Sequence, residues 1–154
     1  MKFSLEDNIN IIKNVKEERK KIVFTNGCFD LLHVGHIRYL AQAKKLGDFL
    51  IIGLNSDSSV KTLKGKDRPI NSFQDRAVLL SALTSVDLVI IFEELTPENL
   101  IKEIVPDVLV KGGDYNIEDI VGFQTVIQNG GLVKSLSFYD DYSTTNYINK
   151  INKP

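Results

Sequence analysis

Two histidines, His33 and His36, have the residue type and spacing that most directly indicate chemistry in this chain. They lie in the segment GCFDLLHVGH, after the apolar run KIVFTN and before the helical stretch IRYLAQAKKLG. On the opening turn of a helix, residues three apart face the same side, beside backbone N–H groups that no helical carbonyl accepts. Gly35 between them removes a Cβ and lets an anion approach closely. This turn therefore predicts an anion site suited to polyphosphate.

Three other interpretations of this turn remain open. Either histidine alone could be an ordinary core or surface residue. A metal site could combine both imidazoles with Asp30, although a single cysteine and no further histidine disfavour structural zinc. Cys28 could be a nucleophile, but the sequence holds no remote histidine to activate its thiol. We therefore expect no metal held by the protein itself and an incidental role for the thiol.

The histidine turn has to be positioned by strands and helices that alternate along the chain. Five short β-rich runs predict strands, at 21–26, 49–55, 88–92, 107–111 and 132–138. The first four are continuously apolar, which is typical of strands covered on both faces in a parallel sheet. Longer stretches with helical periodicity lie between them. We therefore predict a doubly wound, three-layer α/β/α domain with a five-stranded, mainly parallel sheet.

In such a domain, ligands bind beyond the carboxyl ends of the strands, where the winding direction reverses. This rule indicates the ends of the first and fourth strands, which carry the histidine turn and the segment KGGDY (111–115). Residues 1–20 precede the first strand. Within them, the apolar positions of 5–19 predict an added amphipathic helix that packs on the domain.

Length and composition limit the class of protein. With 154 residues, 43% hydrophobic and 25% charged, the chain is predicted to form one globular domain, 1–154. Its 19 Lys and Arg balance 20 Asp and Glu, so no global field favours nucleic acid. One cysteine excludes an internal disulfide. The N-terminus lacks a signal-peptide core, and no run reaches the ~20 apolar residues of a membrane span. We expect a cytoplasmic protein with no membrane partner.

The segment GCFDLLHVGH resembles the signature of the cytidylyltransferase-like nucleotidyltransferases, which have a Rossmann-like fold. The similarity extends from about residue 21 to 151. Four further segments make the chain most similar to the D-glycero-β-D-manno-heptose 1-phosphate adenylyltransferases: NSDSSVKTLKGKDRPIN (55–71), DRAVLLSALTSVDLVIIFEELTP (75–97), PDVLVKGGDY (106–115) and YSTTNYI (142–148).

This resemblance implies an activity. The enzyme would transfer AMP from ATP to the heptose 1-phosphate, giving ADP-heptose and pyrophosphate, with Mg²⁺ bound together with ATP. It also implies a homodimer. Some of these enzymes are fused to a sugar-kinase domain, and the length of this chain suggests the free-standing form.

The resemblance also implies roles for individual residues. The catalytic set consists of His33, His36 and Lys64. The nucleotide-binding set adds the backbone of Cys28 and Phe29, the turn residues Lys111, Gly112, Gly113 and Asp114, and the hydroxyl-bearing Ser143, Thr144 and Thr145. The acceptor-binding set consists of Asp30, Arg68 and Arg76. The chain departs from the family pattern before the serine, where many relatives have a basic residue and this sequence reads FYDDY (138–142).

Several of these residues have structural alternatives. Arg76 could form an exposed salt bridge on a helix. The two glycines of KGGDY could serve a tight turn. Each of the three hydroxyl-bearing residues could be an ordinary helix N-cap.

Two rival functions also remain. One is a cytidylyltransferase acting on glycerol 3-phosphate or another polyol phosphate, which would share the histidine pair and the S-T-T element. The other is a non-catalytic, flavodoxin-like nucleotide-binding module. The segments LKGKDRPIN and KGGDY favour the heptose enzyme over the first rival, and the intact histidine pair favours an enzyme over the second.

Overall fold

Five parallel strands form one sheet with the order β3-β2-β1-β4-β5. Their bounds are β1 Ile22–Gly27, β2 Phe49–Asn55, β3 Leu88–Phe92, β4 Val108–Gly112 and β5 Leu132–Leu136. The structure is a computed structural model that describes residues 2–137 and 144–151. Every strand pairing within these residues is parallel. The predicted doubly wound α/β fold is therefore confirmed, and its winding reverses at β1.

Helices occupy the connections between the strands. The α-helices are α1 Leu5–Glu17, α2 Val34–Lys44, α3 Asp57–Lys64, α4 Phe73–Ser81, α5 Glu98–Ile104, α6 Phe123–Gln128 and α7 Thr144–Ile151, and a 3₁₀ turn spans Ile117–Asp119. Serine hydroxyls cap the first turns of α1, α3 and α4, each accepting a hydrogen bond from a backbone N–H three residues on. Among the described residues, no helix is long and apolar enough to cross a membrane.

The sheet is buried on both faces because alternate side chains of a strand point to opposite layers. In β1, Ile22 and Phe24 pack with side chains of α1, α5 and α6. Val23, between them, packs with side chains of α2 and α4 on the other face. The N-terminal helix α1 adds Ile12 and Val15 to the first layer. Burial on two faces is the physical reason for the continuous apolar runs in the sequence.

A buried tyrosine fixes α2 at the point where the winding reverses. Tyr39 Oη lies 2.6 Å from Thr25 Oγ1 on β1 and donates to the carbonyl of Val110 on β4, at 3.4 Å. Burial raises the pKa of Tyr39 to about 12, so the phenol remains protonated and can donate. The helix that begins at the histidine turn is thereby tied to both strands that diverge around the crevice.

Candidate active site

A cavity of about 820 Å³ lies beyond the carboxyl ends of β1, β2 and β4. The predicted site residues that line it are Cys28, Phe29, Asp30, His33, His36, Lys64, Arg68, Lys111, Gly112, Thr144 and Thr145. Gly113 and Asp114 follow this lining without being part of it. Ser143 lies outside the described residues. The topology thus brings residues from four separate sequence segments to one crevice.

The two imidazoles lie against each other at the start of α2. His33 is the N-cap residue, and His36 follows in the first helical turn. Their ring centroids are 3.8 Å apart, with 22° between the ring planes. Both rings line the cavity beside the opening turn of the helix. The two imidazoles thus face one cavity, as their spacing predicted, and their binding to one ligand stays a prediction.

The Phe29 ring packs against the His36 ring. The two rings meet edge-on, with centroids 5.2 Å apart and 62° between the planes. The Phe29 backbone has a φ of 45°, in the left-handed region that costs a residue with a side chain about 1 kcal/mol or more. The ring itself is only 6% exposed. Its burial offsets the cost of the backbone conformation and holds the turn in place.

Burial sets the protonation state of the pair. Desolvation, with a smaller contribution from the neighbouring His33, lowers the pKa of His36 to about 4, against an opposing hydrogen bond with the Leu31 backbone. Burial also lowers the pKa of His33 below its ordinary value of 6.5. Both rings are therefore neutral at pH 7 without ligand, and each neutral ring has one N–H to donate. A bound polyanion would favour the protonated, doubly donating form.

Asp30 anchors the loop between α3 and α4. Its carboxylate accepts a hydrogen bond from Arg68 Nε at 2.5 Å and from the backbone N–H groups of Ile70 and Asn71 at 2.7 and 3.1 Å. The Asn71 side chain returns a bond to the Asp30 carbonyl at 2.8 Å. The carboxylate side chain is 1% exposed. Asp30 therefore orients the loop and Arg68, and these bonds occupy both of its oxygens.

Arg76 does not lie where a residue that binds the sugar-phosphate acceptor would have to lie. Its side chain is fully buried on α4 and is not part of the cavity lining. The guanidinium donates to the carbonyls of Cys28, Asn55 and Asn71 at 2.5, 2.9 and 3.2 Å, and pairs with Asp57 at 2.7 Å. With its donors used internally, Arg76 cannot reach a substrate phosphate. This corrects its predicted role: Arg76 is a positioning residue beneath the site.

Two lysines supply positive charge to the cavity. Lys64, at the last residue of α3, is exposed and able to move toward a ligand. Lys111, on β4, is half-buried with its Nζ 3.4 Å from Asn26 Oδ1, and burial lowers its pKa. Lys61 and Lys66 do not line the cavity.

The Cys28 thiol also faces the cavity, and burial raises its pKa. The thiol is therefore protonated at neutral pH, which does not favour a nucleophilic role.

Helix α7, the last helix that the structure describes, also contributes residues to the site. Thr144 Oγ1 donates to the carbonyl of Leu31 in the histidine turn, at 3.4 Å. Thr144 and Thr145 both line the cavity at the first turn of this eight-residue helix. The N–H groups of such a turn favour an anion. The N-cap position itself belongs to residues outside the described part of the chain.

Comparison with known proteins identifies the family. The cytidylyltransferase-like family model matches residues 24–150, which include the histidine turn, the α3–α4 loop and α7. The chain belongs to the cytidylyltransferase-like family.

The most similar curated proteins agree with this assignment. Over 139 residues, 90% of this chain, it is 60% identical to the "Bifunctional protein HldE" of Haemophilus ducreyi. It is 55% identical over 138 residues to the protein of the same name in Proteus mirabilis. In both comparisons, the chain spans 29% of the relative's length.

Solved structures show the same fold. A lipopolysaccharide core biosynthesis protein from Thermoplasma volcanium has 31% identity and a TM-score of 0.64, over 77% of this chain and 96% of that one. Pantoate-beta-alanine ligase from Francisella tularensis, crystallised with beta-gamma ATP and beta-alanine, has a TM-score of 0.63 over 97% of this chain and 76% of that one. At 14% identity, the second comparison supports the fold alone.

This cytidylyltransferase-like site contains residues that sequence reasoning missed. They are Asn26, Tyr39, Asn55, Leu63, Leu95, Thr96, Pro97, Asp119, Ile120 and Val121. Asn26 and Asn55 end two neighbouring parallel strands, and the rule that ligands bind at carboxyl ends could have found them. The apolar residues of this set come from α3 and from the loops after β3 and β4, whose paths no local pattern reveals.

The positions of the histidines and carboxylates also bear on whether the site could hold a metal ion. Within residues 2–137 and 144–151, no group of three or more His, Cys, Asp or Glu side chains could hold a metal ion. Asp30, the carboxylate nearest the histidine turn in sequence, is already bound by Arg68 and two backbone amides. The described residues therefore offer no ligand set for a resident metal ion.

Proposed function

We propose that this protein is a nucleotidyltransferase that transfers AMP from ATP to D-glycero-β-D-manno-heptose 1-phosphate, releasing pyrophosphate. The observation that carries the proposal is the stacked His33–His36 pair, 3.8 Å between centroids, in a crevice that also holds Lys64, Arg68 and Lys111. Imidazole and cationic donors gathered in one cavity suit a polyanionic substrate.

The chemistry requires few proton transfers. A phosphate oxygen of the sugar phosphate attacks the α-phosphorus of ATP; one P–O bond forms, and the bond to the β-phosphate breaks in line, expelling pyrophosphate. The nucleophile is already an anion at neutral pH, so no general base is needed. Catalysis therefore depends on positioning the reactants and stabilising the charge that develops on the phosphates.

Each group in the crevice has a place in this scheme. His33 and His36 donate to the triphosphate at the first turn of α2, and the N–H groups at the start of α7 face it from the C-terminal side. Lys111 lies at the end of β4, on the nucleotide side of the crevice. Lys64 and Arg68, carried by α3 and the loop that follows, approach from the opposite side, where the sugar phosphate would lie.

Magnesium enters this scheme as part of the substrate, MgATP. Phosphate oxygens hold the ion and its charge offsets theirs, as in other phosphoryl-transfer reactions. The absence of a fitting carboxylate cluster among the described residues is consistent with an ion held mainly by the nucleotide.

The choice of heptose and adenine rests on resemblance. The segments LKGKDRPIN and KGGDY are similar to those of heptose 1-phosphate adenylyltransferases. A relative 31% identical is described as a lipopolysaccharide core biosynthesis protein, and assembling a saccharide core requires nucleotide-activated sugars. We also propose a homodimer in the cytoplasm; Val78 and Leu79 on α4, 45% and 46% exposed, offer an apolar surface for a second copy.

The deciding experiment is a pyrophosphate-release screen. It crosses ATP, CTP, GTP and UTP with D-glycero-β-D-manno-heptose 1-phosphate, glycerol 3-phosphate and hexose 1-phosphates. We expect the heptose 1-phosphate with ATP to give the highest kcat/KM, at least about tenfold above CTP with the same acceptor. Preference for CTP and glycerol 3-phosphate would establish the cytidylyltransferase alternative. Absence of pyrophosphate release with every pair would overturn the enzyme assignment.

A further inference from the structure

A fourth aromatic ring extends the column formed by Phe29, His36 and His33. Tyr147, in the middle of α7, lies nearly parallel to the His33 ring, with centroids 5.6 Å apart and 9° between the planes. The His33 imidazole therefore makes near-parallel ring contacts with both His36 and Tyr147. The column runs from the buried core at Phe29 to the C-terminal helix.

The anchoring of α7 gives this contact a defined geometry. One turn before Tyr147, Thr144 Oγ1 donates to the carbonyl of Leu31, two residues ahead of His33. A hydrogen bond and a ring contact, one helical turn apart, thus join α7 to the same short turn. Tyr147 remains 38% exposed, so replacing it removes little of the core.

We propose that Tyr147 is a positioning residue: its ring holds the His33 imidazole in the stacked orientation from which it donates to the triphosphate. This inference rests on the proposed nucleotidyltransferase function. A neutral imidazole has a broad choice of orientations about its terminal bond, and only some of them aim an N–H at the phosphates. Near-parallel contacts with two rings restrict that choice without using either ring nitrogen.

The ring also shields His33 from water. Burial lowers the pKa of His33, and the Tyr147 ring is part of what covers it. The groups that face His33 are His36 on its own helix and Tyr147 on α7. The charged side chains that line the same cavity are Asp30, Lys64, Arg68, Lys111 and Asp119. Removing the Tyr147 ring changes none of these charges, so the pKa of His33 should rise toward 6.5 through hydration alone.

The test compares three variants of the full chain. Tyr147→Ala removes the ring from a helix position that alanine suits well. Tyr147→Phe keeps the ring and is the matched control. Lys150→Ala, an exposed position on the same helix, reports on changes to α7 itself. The measurements are kcat and KM for ATP, and the pKa of His33 from an NMR titration of its ring proton without substrate.

We expect Tyr147→Ala to lower kcat about fivefold, the order of one aromatic pair, with a smaller change in the KM for ATP. Its His33 pKa should rise, while Tyr147→Phe and Lys150→Ala should resemble the wild type in both measurements. The proposal is overturned if kcat is unchanged in Tyr147→Ala, if only the KM for ATP rises, or if Tyr147→Phe loses as much activity as Tyr147→Ala.

The titration separates this inference from the proposed function. If the wild-type protein releases no pyrophosphate with any substrate pair, the nucleotidyltransferase proposal fails, but the titration still reports on the contact. An unchanged His33 pKa in Tyr147→Ala would then show that the ring does not control the imidazole and would overturn the inference. A raised pKa confined to Tyr147→Ala would support it.

Discussion

Replacing Arg76 by methionine tests whether this side chain builds the site or binds the substrate. The guanidinium donates to three backbone carbonyls from three different segments: Cys28 in the histidine turn, Asn55 at the end of β2 and Asn71 before α4. It also pairs with Asp57 at the start of α3. Methionine fills a similar volume but donates no hydrogen bond, so all four acceptors lose this partner.

The expected loss can be worked from these contacts. A buried acceptor left without a donor costs about 1–3 kcal/mol. Asp57 is 43% exposed and can be hydrated, so its contribution is at most about 1 kcal/mol. Allowing for partial relaxation and for the favourable burial of methionine, we expect the free energy of unfolding to fall by about 3–5 kcal/mol. That is a large part of the total stability of a domain, about 5–15 kcal/mol.

Urea unfolding at pH 7, followed by circular dichroism, measures this difference. Lys102→Met is the matched control, because Lys102 forms an exposed i,i+4 pair with Glu98, worth about 0.5 kcal/mol. Arg76→Lys keeps the charge but reaches fewer acceptors, and should lie between the wild type and Arg76→Met.

A stability loss in Arg76→Met no larger than that of the control would refute this reasoning. A raised KM for the sugar phosphate in a variant of wild-type stability would restore the phosphate-binding role.

Three further predictions concern the histidine turn. His36→Ala should fold but lose about 10²-fold or more in kcat, the scale of one preorganised donor, and near-wild-type turnover would remove His36 from catalysis. Cys28→Ser should keep most activity, whereas a collapse of kcat would give the thiol a role. The pKa of His36 is about 4 in the native state against 6.5 ordinarily, so the unfolded chain binds more protons between these values. The contribution of His36 to the free energy of unfolding is therefore fully present above pH 6.5. It is lost as the pH falls from 6.5 toward 4. Urea unfolding at pH 7 and pH 5 should show a smaller acid-induced loss in His36→Ala than in the wild type.

The sequence predicted the sheet and the position of its crevice because both depend on local patterns. Continuous apolar runs mark buried parallel strands, and the histidine turn follows the first of them. That His33 and His36 face the same cavity was also predictable, since the two residues share one helical turn.

The role of Arg76 was not predictable, because two of its three carbonyl acceptors lie far away in sequence. They include Cys28, 48 residues before it, and Asn55, 21 residues before it. An arginine on an amphipathic helix has the same local pattern whether it faces water, a ligand or a set of buried carbonyls. Only the assembled structure distinguishes these surroundings. The same holds for Tyr147 and His33, which lie far apart in sequence and whose rings meet only in the folded structure.

Asp30 and Arg76 show how the backbone around the proposed site is held in place. Asp30 binds the backbone of Ile70 and Asn71, and Arg76 binds the carbonyls of Asn71 and Cys28. Two buried charges thus lock the α3–α4 loop to the histidine turn, each satisfied by fixed backbone dipoles. Catalysis by positioning loses much of its rate when reacting groups move by about 1 Å. Because Asp30 and Arg76 are engaged in fixing the backbone, the proposed function leaves the phosphates to the two histidines, Lys64, Arg68 and Lys111.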